Sequence, residues 1–444
     1  MSHQQKLPFI GLYQRCWDSI RTTFRSLRYR NYRLFFIGQG LSLVGTWMQQ
    51  VAVSWLVYRL SHSAVALGAV AFAGQAPVFL LAPVGGITAD RCSKHRILLL
   101  TQMLSMVQAA VLSVLVLSGT VQVWQIGLLS LMLGTINAFD MPTRHAFVIE
   151  MIEDSGDLGN AIALNSSMFN GARLAGPALA GVIISIFGES LCFVLNAVSY
   201  LAVILSLLKM QIGRFEPPSK PVHPVAQLKA GFAYAYRFTP VRDVIGFIAA
   251  MSLVGMPYAV LLPVLAKTVL DGGPQTYGLL IGSAGAGALF GALYMAWRKT
   301  VRGLGRILVF GGSLFGGSLL VLSAAESAGF SMALLLLCGF GMMVLMAGCN
   351  TILQTMVDDS KRGIVMSIYM MALIGMAPLG SLAAGFMAHR LGLHLTLLMG
   401  GLLCLLASGL FALRLPRLRG IVRPVYVEKG IITETAGRVQ DAEE

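Results

Sequence analysis

A chain of 444 residues that is 56% hydrophobic and only 12% charged, with mean hydropathy +0.74, does not suit a water-soluble globular protein, because soluble domains carry roughly twice that charged fraction. A net charge of +14 would fit a nucleic-acid binder. Here, however, the basic residues fall between apolar runs of roughly 20 residues, long enough to cross a bilayer core, so the composition points to a polytopic membrane protein without a nucleic-acid partner.

In chain order, residues 1–33 hold no short apolar core of a cleavable signal. Tyr13, Trp17, Ile20, Phe24 and Leu27 fall on one helical stripe, with Arg15, Arg21, Arg25 and Arg28 on other faces. This predicts a basic amphipathic helix lying on the inner leaflet. Twelve spans follow, near 34–58, 65–87, 96–118, 123–147, 159–186, 190–209, 242–267, 276–297, 305–325, 330–354, 363–387 and 393–413. The predicted domains are an N-terminal arm (1–33), a six-helix bundle (34–209), a linker with a surface helix (210–241), a second six-helix bundle (242–413) and a tail (414–444). Of the 33 Lys and Arg residues, 29 fall on one side of this topology and only Arg59, Lys267 and Arg390 on the other, with Arg173 inside a span. That bias places both termini in the cytoplasm.

The two halves echo each other. Gly176-Pro177 and Gly181 in the fifth span correspond to Ala377-Pro378 and Gly385 in the eleventh, and Gly68 opening the second span corresponds to Gly278 opening the eighth. Duplicated bundles of this kind hold their substrate near the midplane between the halves. Gly134, Gly171, Gly176 and Gly181, with the GxxxG pairs Gly287/Gly291 and Gly312/Gly316, predict close helix packing, within one bundle rather than between copies. The amides Gln39, Gln49, Gln50, Asn137, Asn165, Asn170, Asn350 and Gln354, joined by Tyr258, need polar partners and are expected to face the interior. Of the adjacent Gln49 and Gln50, one is expected to line a cavity and the other to bond a neighbouring helix. Methionines such as Met342, Met346 and Met370 give the second half a soft lining or adaptable packing. The six cysteines and seven histidines show no ligand spacing, so no metal or other cofactor is expected.

Three ionisable residues in or at the edge of apolar spans carry the functional expectation, because charge in a bilayer is costly. Asp140 and Arg144, four apart on one helical face, form either a proton-responsive pair or a structural ion pair; the structural reading is preferred. Arg173 is either a contact for an anionic or phenolic substrate (or a coupling partner), or an internal tether to Asn170 or Gln49. Asp140 is the carboxylate in the same half available to it.

With these segments placed, the chain resembles the major facilitator superfamily, and over most of its length the branch of bacterial exporters that includes the enterobactin exporter. The loop Gly86-Ile-Thr-Ala-Asp90-Arg91-Cys-Ser-Lys94-His-Arg96 is similar to the superfamily's loop motif, with Ser93 in place of the usual Gly. The run Asn137-Ala-Phe-Asp140-Met-Pro142-Thr-Arg144, then Asn165, Asn170, Arg173 and Gly176-Pro177, resembles the exporter branch, as do Tyr277-Gly278 and Arg362-Gly363. The resemblance implies an all-α fold of two six-helix bundles and a gating role for Gly86, Asp90, Arg91, Lys94 and Arg96, with Asp90 meeting the start of the eleventh span. It further implies proton-driven export of a small amphiphilic molecule, a siderophore or drug-like compound, across the bacterial inner membrane by a monomer that is not an enzyme. Many drug antiporters carry an Arg four residues before the glycine of the fourth span, where this chain has Ser130, so the usual arginine-assisted proton route is not expected. The absence of a GxxxxGK[ST] loop argues against ATP. The alternatives are a lysophospholipid or other lipid transporter, and a membrane scaffold or sensor.

Overall fold

The computed structural model describes residues 23–211, 233–298 and 300–429. Most of the expected amphipathic arm, and the centre of the linker from 212 to 232, lie outside the described residues. The first half consists of α1 (Arg30–Ser61), α2 (Ala64–Arg91), α3 (Lys94–Leu117), α4 (Val123–Glu150), α5 (Ser155–Phe187) and α6 (Glu189–Leu208). The second consists of α7 (Thr239–Val254), α8 (Tyr258–Val264), α9 (Pro274–Trp297), α10 (Leu304–Leu322), α11 (Ala328–Met356), α12 (Asp359–Leu391) and α13 (Leu393–Glu428). α7, α8 and the π-helical turn Leu265–Val269 together make one crossing, so each half crosses six times. We call the side carrying the start of α1 and the end of α13 the basic face.

Length and hydropathy alone pick out ten crossings among the described residues, omitting α1 and α4. These helices have 32 and 28 residues, ample length for a span. They fall short in hydropathy because they carry Gln39, Gln49 and Gln50, or Asn137, Asp140 and Arg144, groups that protein must surround. The twelfth crossing runs on as helix to Glu428, well past the expected end at 413, so the start of the expected tail is a helical extension.

Local signals set the turns. Ser63, Asp154 and Ser327 each accept a backbone N–H at the start of α2, α5 and α11, satisfying a donor the helix cannot satisfy itself. Gly188 (φ 79°) is the whole connection from α5 to α6, and Gly392 (φ 86°) the whole connection from α12 to α13. Both occupy a backbone region that a Cβ would strain, and both join the fifth and sixth crossings of their half. The duplication therefore extends to the turn.

Small residues bring the helices together. A Cβ on Gly134 would lie 2.2 Å from the Gly74 carbonyl oxygen on α2, and one on Gly176 2.5 Å from Cβ of Trp47 on α1. Gly287 and Gly291 seat against Leu336 and Phe340 of α11, while Gly312 and Gly316 seat against α7 and α13. The GxxxG pairs thus pack one bundle internally, as expected.

The halves meet along two related seams. In one, Gly68 of α2 faces Gly385 of α12, a Cβ on Gly68 falling 3.3 Å from the Gly385 Cα. In the other, Gly278 of α9 faces Gly181 of α5, with 2.8 Å for the same measure. The four glycines whose sequence echo marked the duplication therefore form the two seams, one the pseudo-twofold counterpart of the other. Both seams lie in the half of the membrane away from the basic face. Gly278→Leu is expected to force the second seam apart and shift the population away from this conformation. Overpacking of this kind costs about 1–3 kcal/mol, a shift of roughly 5- to 150-fold in the ratio of states. Spin-label distances across each face would read it, and an unchanged distance distribution would refute the seam's role.

Candidate functional site

Below the seams the same helical stripes open. On α5 the stripe that meets α9 through Gly181, Pro177 and Leu174 continues toward the basic face as Asn170 and the exposed Ser166 and Ser167. On α12 the stripe that meets α2 through Gly385 and Ser381 continues as the exposed Ser367 and Gly363. A Cβ on Gly86 of α2 would meet nothing within 4 Å, and Asp90 is exposed. The bundles thus enclose a space sealed on one side and open at the basic face.

Arg173 sits where seam becomes opening. It lies eighteen residues into α5, about 27 Å along the helix, and the backbone of Gly285 on α9 packs against its carbonyl. Its side chain is half-buried, with the guanidinium 5.9 Å from the ring centroid of Trp47 on α1, a cation–π contact. Phe169 meets the same indole edge-on at 5.8 Å. Across the interface Arg173 is close enough to Tyr258 of α8 and Cys338 of α11 to act on both electrostatically. Among the described residues, no ion pair or hydrogen bond engages its guanidinium. A cation held at this depth without a partner carboxylate among the described residues keeps its guanidinium donors available to an anion.

Tyr258 owes its position to a broken helix. α7 ends at Val254, capped by Gly255, and α8 begins at Tyr258, with Pro257 just before it. The break is held from outside, since a Cβ on Gly255 would lie 2.2 Å from Phe315 and one on Gly380 2.0 Å from the Leu253 carbonyl oxygen. Interrupted spans at the midplane expose backbone where a cargo binds. The Gly255-Met256-Pro257 signal stands in the sequence and sequence reasoning passed over it, as it did Trp47.

The structure divides the remaining expected residues. Gln50 is exposed on the Trp47 and Ser54 side of α1, and Ser54 reaches Tyr277 of α9, so Gln50 faces the space between the bundles. Gln49 does not. It donates to Gln108 Oε1 of α3 at 3.0 Å and accepts from Asn196 Nδ2 of α6 at 2.8 Å, so it ties three helices of the first bundle. Asn165 is half-buried, and Asn170 donates to the Ser166 carbonyl of its own helix, so neither Asn170 nor Gln49 tethers Arg173. Asn350, half-buried, accepts from the exposed Gln354 at 2.5 Å. They lie on the face of α11 that carries Met343 toward α9 and Met346 toward α12, nearer the basic face than Arg173.

Asp140 is also placed elsewhere than a site at Arg173 would require. It is buried against α3, accepting from Thr101 Oγ1 and Gln102 Nε2 at 2.8 Å each, and it pairs with Arg144. Tyr200 of α6 lies alongside Arg144. The cluster therefore stands between α3, α4 and α6 within the first bundle, and Asp140 does not neutralise Arg173.

Of the expected gating residues, Lys94 bridges Glu150 at the end of α4 at 2.6 Å, while Asp90, Arg91 and Arg96 are exposed. No ion pair or hydrogen bond joins Asp90 to α12 among the described residues. The glycine packed tightly in this region is Gly85, 2.0 Å from the Ala138 carbonyl of α4 for an added Cβ, and not Gly86. Pro177 and Pro378 are buried within α5 and α12, and the carbonyl of Pro177 contributes to the Gly278 seam.

Twelve crossings in two pseudo-symmetric bundles around a half-sealed central space define a transporter of the major facilitator superfamily. The fold matches a POT family transporter in complex with 5-aminolevulinic acid at TM-score 0.74 and 12% identity, covering 88% of this chain and 96% of that one. It matches a bacterial homolog of the human lysosomal transporter Spinster, in an inward-facing and unoccupied conformation, at TM-score 0.66 and 13% identity over 87% and 96%. Residues 21–421 match the transmembrane secretion effector family, and the chain belongs to that family, whose proteins are transporters and not enzymes. It is 28% identical to the staphyloferrin A transporter of Staphylococcus aureus over 81% of this chain and 90% of the relative. It is 27% identical to the multidrug efflux pump Tap of Mycolicibacterium fortuitum over 83% and 91%, and 21% identical to macrolide efflux protein A of Streptococcus pyogenes over 85% and 95%.

Proposed function

We propose that the chain exports a small amphiphilic organic anion across the bacterial inner membrane, by alternating access coupled to the proton gradient. The observation that carries this reading is Arg173, a cation deep between the bundles, bordered by Trp47 and Tyr258 and without a partner carboxylate among the described residues. A substrate offering a carboxylate or acidic phenol beside an apolar or aromatic body satisfies both the guanidinium and the rings. Similarity to a siderophore transporter and to drug efflux proteins supports the class and the outward direction. The basic face is the cytoplasmic one by the charge bias, so both termini are cytoplasmic and the conformation described is inward-open, ready to load. Asp90 and Arg91, exposed here, re-form their contact with the start of α12 when the basic face closes, and that exchange biases one state against the other. The protein works as a monomer without a cofactor.

The test is accumulation in everted membrane vesicles, with hydroxycarboxylate and catecholate siderophores and cationic dyes as candidates. Accumulation of an anionic candidate that a protonophore abolishes is the expected result. Accumulation of cationic dyes alone overturns the anion reading, and insensitivity to the protonophore overturns proton coupling.

A further inference from the structure

Away from the central space, α10 and the extended α13 leave a groove where both helices reach the basic face. Val309, Ala412, Leu415 and Pro416 form its apolar floor, and Arg306 and Arg419 line it from opposite helices. The helices touch beneath it, since a Cβ on Gly305 would lie 2.4 Å from the Leu415 side chain. Its volume, about 250 Å³, falls below the roughly 300–1,000 Å³ typical of pockets that enclose a drug-sized molecule. On its membrane side the groove runs into a lipid-facing surface, where Phe310 is 58% and Leu413 80% exposed. Both arginines are exposed. Arg414, exposed as well, is turned to Asp243 at 3.0 Å and holds α13 to α7.

We propose that this groove binds an anionic phospholipid of the adjacent leaflet, its phosphodiester between Arg306 and Arg419 and the start of an acyl chain on Val309, Ala412 and Leu415. The two arginines suit a phosphodiester, which guanidinium groups engage through paired N–H donors. The apolar floor, continuous with the lipid-facing surface, suits a ligand that stays in the membrane. A soluble phosphoester would leave that floor uncovered. The helical extension of α13 beyond the span is what carries Arg419 to the headgroup level, which gives that extension a purpose the transport site does not. Basic pockets between helices at the cytoplasmic side commonly hold acidic headgroups. The inference is independent of what the transporter carries.

The test uses the purified full chain in mild detergent, titrated with dioleoyl phosphatidylglycerol and read by native mass spectrometry, with dioleoyl phosphatidylcholine as reference. Phosphatidylglycerol should be retained preferentially, with a loss of about fivefold for each arginine removed in Arg306→Gln and Arg419→Gln. Ala412→Phe, which fills the floor and leaves both charges, should also lower retention. Arg237→Gln, the same charge change on the same face outside the groove, should not. The Arg419→Gln variant keeps the test decisive if Arg306→Gln or Ala412→Phe fails to fold. Equal retention of the two lipids, undiminished phosphatidylglycerol in the variants, or equal binding of sn-glycerol 3-phosphate would each overturn the proposal.

Discussion

Replacing Arg173 by alanine is expected to lower the apparent affinity for an anionic substrate about 10- to 100-fold in everted vesicles, while the thermal midpoint of the purified protein stays within a degree or two of the parent's. The transport effect follows from removing a charge-assisted contact in a half-buried place, where such a bond contributes about 1.5–3 kcal/mol. The lack of a stability effect follows from the contacts in the structure. Asp140 bonds to α3, Asn170 to its own helix and Gln49 to α3 and α6, so the guanidinium supports no protein network that its removal would break. Its aromatic contact with Trp47, at 5.9 Å, is worth about 0.5–1 kcal/mol. A lone buried cation also costs desolvation, so losing it repays part of that contact. Arg173→Lys should recover part of the transport, because an ammonium keeps the charge but not the paired donor geometry that a carboxylate matches. A variant that melts early and transports in proportion to its folded fraction would make Arg173 a packing residue. Undiminished transport of every anionic candidate would remove it from the site.

The sequence revealed the frame of the molecule more fully than its interior. Gly68 and Gly278 stand out because each opens the second span of its half, and Gly181 and Gly385 because each follows a proline in the fifth. A duplicated sequence repeats each contact, so Gly68 with Gly385 and Gly278 with Gly181 make two seams that the pseudo-twofold relates. Single polar residues do not carry that information. Gln49 and Gln50 differ by one position, about 100° around the helix, and only partners on α3 and α6, Gln108 and Asn196, decide which of them turns inward. The pairing of Asp140 with Arg144 is legible from their spacing, but Thr101 and Gln102, some forty residues earlier on α3, are not. The contact of Arg173 with Trp47 is of the same kind, since it depends on how α1 and α5 cross at Gly176. Periodicity fixes which residues share a face, and the packing of other helices fixes what that face meets.

The buried pair in the first bundle should behave in the opposite way to Arg173. Asp140→Ala is expected to destabilise the protein by about 3 kcal/mol, the low end of the 3–5 kcal/mol for stranding one member of a buried ion pair. The low end applies because the Arg144 side chain keeps 21% exposure and so some access to solvent, while that of Asp140 keeps only 2%. Two further donors, from Thr101 and Gln102, would lose their acceptor, and Gln102 Oε1 and Arg144 Nε already lack one partner each. Asp140→Asn keeps the acceptor oxygen for one donor and should cost less. The double variant Asp140→Asn/Arg144→Gln should regain part of the loss, since it strands no charge, and the coupling measured by the cycle it forms with single Asp140→Asn and single Arg144→Gln should fall within the 0.5–3 kcal/mol typical of residues in one network. Reversible unfolding in mild detergent checks all three. Two discriminating outcomes separate a brace from a proton carrier. If Asp140→Asn melts early but couples transport to the proton gradient in its folded fraction, the carboxylate clamps α4 to α3. If it melts like the parent yet transports without regard to a protonophore, the carboxylate carries the proton, and Arg144 with the two α3 side chains sets when it is released. The geometry favours the clamp, because a carboxylate held by a guanidinium, a hydroxyl and an amide on neighbouring helices has no direct opening to the space between the bundles.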